Sequence, residues 1–250
     1  MEKTYKVQEI LNEIQKLNTI YLRIKGESKE FDIRLGIENI PHLLGLHYME
    51  IRKIQPMEKI ELIFDNNLSY EDILDRVEEY RGKKQRINVE NRINTFEYFM
   101  NNLEKGVIVE KTLETKMDVN YLIVQSKEDD YYHLGIFSSD NGVLLLDFDE
   151  LSEKEKDIIK TYFVEKDIKN EGIKYWKNTN IMENILSISI YDEKLKKYIP
   201  FSFDEEKNRA LLKEYDVNKN FNYKEFLKEF ENNKENTWNV KDEKNKDLER

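Results

Sequence analysis

Apolar residues recur near the start of the chain at helical spacing, at Val7, Ile10, Leu11, Ile14 and Leu17. This puts them on one face of a 3.6-residue helix, so the chain is expected to open with an amphipathic α-helix. The period then drops to two. Ile20, Leu22 and Ile24 alternate with polar neighbours, as do Phe31, Ile33 and Leu35, and the turn-forming link at 26–29 predicts a β-hairpin. Pro41 suits the first turn of a short helix, where its missing N–H costs nothing. Ser69 and Asp72 form a capping-box-like pair ahead of Ile73, Leu74 and Val77. A second long helix is expected from about Asn88, with Val89, Ile93, Phe96, Met100 and Leu103 on one face and Gly106 placed to end it.

From Val107 the pattern turns strand-like, over residues 107–109, 121–124, 131–137 and 143–148. Asp140-Asn141-Gly142 is a strong hairpin signal, because Asn and Gly tolerate the positive φ of a type I′ turn. Residues 161–164 add another strand. Runs at 185–190 and 198–203 fit a later hairpin, and helices are expected around 205–215 and 223–232. The fold class is therefore α+β: an N-terminal helix and hairpin, further helices, an antiparallel β-meander, then a C-terminal β-hairpin and helical extension. The expected division is a first domain over 1–167, an α+β extension packed on it over 168–238, and a charged tail over 239–250 without a fold of its own.

Composition narrows the function classes. Hydrophobic residues make up 39% of the 250, with fifteen Tyr and twelve Phe, enough apolar surface for a packed core. There is no cysteine, which rules out disulfides and thiolate zinc sites and fits a reducing, cytoplasmic location. The opening M-E-K-T-Y-K lacks the apolar stretch of a signal peptide, and no run approaches the roughly 18 apolar residues of a membrane span, so no membrane partner is expected. A net charge of −10 argues against broad non-specific nucleic-acid affinity. The charge is uneven: residues 1–100 carry −2 and the remainder −8. Seven of the nine arginines lie between Arg23 and Arg92. Arginine's planar donor fork matches phosphate, and it equally serves salt-bridged helix surfaces.

Only three histidines exist, His42, His47 and His133. Five residues apart, His42 and His47 diverge by about 140° on an ideal helix. They converge only if Gly45 ends the helix and the chain turns. Local packing and acid–base chemistry are both open to them. His133 falls on a predicted strand, where packing is the simpler use. Asp147, Asp149 and Glu150 offer carboxylates for Mg2+, or merely an acidic strand end; no metal and no cofactor is expected. The densest basic run, R-G-K-K-Q-R at 81–86, is read as an inter-helix loop. Arg81, Lys83, Lys84 and Arg86, together with Arg92 at the edge of the buried stripe, could cradle a phosphodiester.

The stretch F-D-I-R-L-G-I-E-N-I-P-H-L-L-G-L-H at 31–47 resembles the N-terminal signature of a PBECR family. These are phage-associated domains grouped with the barnase, EndoU, colicin E5/D and RelE nucleases. N-R-I-N-T-F-E-Y-F at 91–99, N-Y-L-I-V at 120–124 and Y-H-L-G-I-F at 132–137 are similar to its later helix and sheet, so the resemblance spans roughly 5–167. It implies a helix-plus-antiparallel-sheet nuclease fold and a role in phage–host conflict, as toxin or in defence. It also implies metal-independent cleavage of RNA by attack of a ribose 2′-hydroxyl on the adjacent phosphate. By the same resemblance, His42 is the first functional histidine, His47 the second and Arg92 the cation. Arg34, Arg81, Lys84 and Arg86 are expected to bind substrate. The alternative is a non-catalytic, phage-encoded inhibitor of the anti-CRISPR kind. It would use the −8 of residues 101–250 to bind a nucleic-acid-handling complex.

Overall fold

The computed structural model describes residues 6–16, 20–49, 54–111, 119–127, 130–138, 157–166 and 182–228. The expected turn at 140–142, the strand at 143–148, the carboxylates of Asp147, Asp149 and Glu150, and the tail at 239–250 lie outside these residues. The chain opens with α1 (Lys6–Lys16), the strands β1 (Ile20–Lys25) and β2 (Glu30–Leu35), and the short α2 (Ile40–Leu43). Three longer helices follow: α3 (Pro56–Asp65), α4 (Tyr70–Arg81) and α5 (Lys83–Asn101). Next come β3 (Val107–Glu110), β4 (Tyr121–Lys127), β5 (Asp130–Ser138) and β6 (Asp157–Lys166). The last elements are β7 (Met182–Asn184), β8 (Ser187–Asp192), β9 (Lys197–Pro200) and α6 (Glu205–Lys219), with further helix at 223–228.

All nine strands belong to one sheet, in the order β7-β3-β4-β5-β6-β2-β1-β8-β9. Pairing is antiparallel except at the β2–β6 junction, where Ile33 meets Asp157 in parallel. The first three strands of the expected meander are β3 to β5; β5 pairs next with β6, which takes in the expected strand at 161–164, and β7 to β9, which follow residue 167, extend the same sheet. β7 pairs with β3 near one end, whereas β8 pairs with β1 near the other. Only Ile185 and Leu186 connect them, a reach of about 7 Å. The sheet must therefore curl until its ends almost meet.

Polar contacts hold that closure. The Leu186 N–H donates to the Lys25 carbonyl at 2.7 Å, and the Ile185 N–H to Gly106 at 3.3 Å. The buried Glu183 carboxylate accepts the Ser28 and Lys29 N–H groups of the β1–β2 turn, at 2.6 and 2.8 Å. Gly26 leaves room for this carboxylate: a Cβ there would stand 2.5 Å from Glu183 Oε1 and displace it from the turn.

Apolar alternation decides what fills the curl. Val7 and Leu11 of α1, Ile93, Phe96 and Phe99 of α5, and Leu22, Ile24, Phe31 and Ile33 of the hairpin share one core. On β3 and β4 the two-residue period sends Ile108 and Ile123 into that core. It sends Val109, Leu122 and Val124 into a small cluster on the opposite face. His133 on β5 is fully buried, its ring stacked on Phe163 with centroids 4.3 Å apart. Among the described residues, no helix is long and apolar enough to cross a membrane.

Three local expectations change. α5 begins at Lys83 rather than near Asn88, so the basic run at 81–86 is not a loop. It is the end of α4, a single Gly82 at φ +82°, and the first turn of α5. Lys, Gln and Arg form helix readily without contributing an apolar stripe, which hides that first turn from the pattern. α3 was not anticipated, although Pro56 starts it and the Glu58 carboxylate accepts the Gln55 N–H at 3.0 Å. Gly106 closes not α5 itself but the 3-10 turn Leu103–Lys105 that follows it.

Glu183→Ala should lower the unfolding free energy by about 3 kcal/mol, and Glu183→Gln, which keeps one acceptor, by roughly half that. Chemical denaturation measures both; a loss below roughly 0.5 kcal/mol in each would mean the closure does not depend on this carboxylate. His133 gives a pH signature. Burial presses its imidazole to about 3, so the unfolded chain takes up a proton below about pH 6.5 that the folded chain refuses. Its contribution to stability is complete above that value and is lost as pH falls toward 3. In His133→Phe the acid loss of stability should be shallower, by up to about 1.4 kcal/mol per pH unit.

Candidate active site

Downstream of β2 the chain turns sharply. Gly36 leads into a 3-10 turn, Ile37–Asn39, tied down by the Gly36 N–H donating to Asn39 Oδ1 at 2.8 Å. α2 follows with Pro41 in its first turn, anchored by buried Ile40, Leu43 and Leu44. Gly45 then adopts φ +78°, a left-handed conformation that ends the helix, and a 3-10 turn over Leu46–Tyr48 reverses the chain. The reversal meets the condition for the two histidines to converge. Their rings stack with centroids 4.8 Å apart and planes 20° from parallel. His47 also contacts the Tyr48 ring, at 3.9 Å.

Arg92 of α5 lies against this turn. Its Nη1 is 3.5 Å from the Leu43 carbonyl, and its Cδ is 3.5 Å from where a Gly45 Cβ would stand. The same Cβ would lie 3.1 Å from Val89, so position 45 needs glycine for space as well as for φ. Burial disfavours the charged Arg92 guanidinium, and the nearby Tyr48 and Tyr162 hydroxyls offset this in part. Among the described residues Arg92 has no carboxylate partner. Under it, Thr95 Oγ1 donates to the Asn91 carbonyl at 2.7 Å. Its one hydrogen is thereby used, so the buried Tyr162 hydroxyl donates to Thr95, at 2.8 Å.

Two lysines complete the cluster. Lys59 of α3 is buried and donates to the Ile54 carbonyl; Lys160 of β6 is half-buried and reaches His42 through a backbone hydrogen bond. Desolvation lowers the His42 pKa, the Lys160 backbone opposes it, and the charges of Arg92, Lys160 and Lys59 lower it further. His47 falls to about 4, through burial first and then through His42, Arg92, Lys59 and Arg81. Its Nδ1 is buried without a hydrogen-bond partner among the described residues. Both imidazoles are therefore neutral at neutral pH, in a field dominated by cations.

The other expected site residues divide. Arg34 is paired with Glu38. Arg86 braces α4 through Glu71 at 2.9 Å, Glu78 at 3.4 Å and Asp75. Arg81 and Lys84 are exposed around Gly82, and of these Arg81 acts electrostatically on His47. The structure thus unites His42, His47 and Arg92, with Arg81 at the margin; it gives Arg34, Arg86 and Lys84 no contact with them. Lys59, Lys160, Tyr48 and the Thr95–Tyr162 pair were not singled out in the sequence. Lys59 sits on the unanticipated helix, and Lys160 one residue before the expected strand.

An imidazole pair beside a half-buried guanidinium is equipped for acid–base work on a phosphodiester, the chemistry of a nuclease. The chain belongs to the PBECR4 family, the phage-Barnase-EndoU-ColicinE5/D-RelE like nuclease4 family, which it matches over residues 6–207. The match continues past residue 167 through β9 into the first turn of α6. No curated protein and no solved structure matches the chain.

Gly45→Ala should destabilise the fold by more than about 1 kcal/mol, because it forces a Cβ into a left-handed position against Val89. It should also part the two imidazoles. NMR checks this through the ring-current shifts of His42 and His47, which should move toward solvent values; unchanged shifts would refute it.

Proposed function

We propose that this protein is a metal-independent endoribonuclease acting in phage–host conflict. The observation that carries the reading is Arg92, a desolvated cation without an acidic partner among the described residues, beside two stacked imidazoles. A buried charge is costly unless something compensates it, and a substrate phosphate is the natural counterion. The phage-associated nuclease description of the family supports the same role.

In the proposed reaction His42, at the surface, accepts the proton of a ribose 2′-hydroxyl as that oxygen attacks the adjacent phosphorus. The bond to the 5′-oxygen breaks, and His47 supplies the proton that this oxygen takes. The products are a 2′,3′-cyclic phosphate and a free 5′-hydroxyl. Arg92, Lys59 and Lys160 stabilise the charge that accumulates on the phosphorane oxygens. Arg81 extends the cationic surface toward the flanking RNA. A cluster whose strongest electrostatic influences are cationic repels a divalent metal, which favours catalysis by protein groups alone.

RNA incubated with the purified protein in EDTA should be cleaved to cyclic-phosphate ends. His42→Ala, His47→Ala and Arg92→Gln should each lower kcat/KM by roughly 10^2–10^4 with the circular dichroism spectrum unchanged. Arg34→Ala and Arg86→Ala, whose guanidiniums are already occupied, should stay within about twofold. Cleavage that survives loss of both histidines, or a 2′-deoxy substrate cut as well as RNA, would overturn the assignment. Salt-sensitive binding to a basic protein partner without hydrolysis would instead support the inhibitor reading.

A further inference from the structure

The assigned chemistry needs one neutral and one protonated imidazole, yet the field around the pair opposes any proton. Cations on four elements act electrostatically on the rings: Lys59 from α3, Arg81 from α4, Arg92 from α5 and Lys160 from β6. The carboxylates on and beside those elements are mostly engaged elsewhere or exposed. Glu38 is paired with Arg34, and Glu58 accepts the Gln55 N–H. Glu71, Asp75 and Glu78 surround Arg86; Glu90 lies 3.4 Å from the Tyr70 hydroxyl; Asp157 accepts the Asp32 N–H. Glu61 and Asp65 of α3 are exposed, and the Tyr162 phenol is held protonated by burial.

We propose that the site is anion-gated: an oxyanion lodging against Arg92, Lys59 and Lys160 lets the His42–His47 pair take up the single proton that the leaving group requires. A dianion among these cations offsets the part of the opposition to protonation that the cations add to burial. Like charges 4.8 Å apart then limit the pair to one. The proton comes from solvent. During cleavage one imidazole gains a proton from the 2′-oxygen while the other gives one to the 5′-oxygen, so the pair still carries one when the cyclic phosphate forms. Product departure restores the cationic field and returns that proton to solvent. The use made of the proton rests on the nuclease reading, but its uptake does not, and can be measured without turnover.

Sulfate is the probe, because it stays a dianion throughout the range in which histidine titrates. Imidazole NMR titrations of the full chain, with and without sulfate at constant ionic strength, should show one midpoint of the pair raised by about 1–2 units. Calorimetry in buffers of different ionisation enthalpy should show about 0.5–0.8 proton taken up per sulfate midway between the sulfate-free and raised midpoints, with affinity increasing by about 3–6-fold per unit fall in pH there. Lys160→Gln should act in two opposed ways, raising the sulfate-free midpoint of His42 while weakening sulfate binding. His42→Gln and His47→Gln, at the centre, should make sulfate affinity less dependent on pH. Sulfate that binds with both midpoints unmoved, or that leaves the imidazole resonances unperturbed, overturns the proposal. Proton uptake without RNA cleavage would sustain the anion gate and remove only the nuclease reading.

Discussion

The constraint on which the molecule depends is the brevity of the link between β7 and β8. Strands near opposite ends of a nine-stranded sheet are joined through Ile185 and Leu186 alone, so the sheet must bend around whatever lies on its inner face. That face is lined by Leu22, Ile24, Phe31 and Ile33, and it receives α1 and α5. With α5 fixed in this concavity, Arg92 is fixed beneath the turn that follows α2. The geometry of the site is thus inherited from the closure of the sheet, although Glu183 and the β1–β2 turn belong to neither the helices nor the histidine turn.

Within that frame the site has an unusual electrostatic character for an acidic protein. The chain carries −10 overall, yet after burial the charged groups that bear most on His42 and His47 are cationic. Most of the arginines with visible partners, such as Arg23 with Asp32 and Arg86 with three acids, are neutralised in place. Arg92 has no such partner among the described residues, and that contrast is what the proposed role for it rests on. The acidic exterior would also repel nucleic acid that approaches away from the site, confining any productive encounter to this face.

Much of the fold was legible because it is written in short-range periodicity. α1, the β1–β2 hairpin, the Ser69–Asp72 cap of α4 and the antiparallel run β3–β5 all follow from spacing and turn chemistry. The failures have two causes. α3 buries Lys59 along with Ile60 and Ile63 while Met57 is exposed, which blurs its apolar stripe. The parallel contact between β2 and β6 joins residues far apart in sequence, where no local rule reaches. The histidines were an intermediate case. Gly45 marked where they could be brought together, but Lys160, which approaches His42 from a distant strand, left no local trace.

The dependence on β6 gives the site a place in time as well as in space. His42 belongs to the early part of the chain, and the strand carrying Lys160 emerges more than a hundred residues later. The cap over the sheet's ends comes later still, with Glu183. During synthesis the histidine turn therefore exists as sequence well before its cationic surroundings can assemble. The constellation belongs to the finished fold, and a nascent chain ending before β6 carries the histidines with Lys59, Arg81 and Arg92 but without Lys160 and Tyr162.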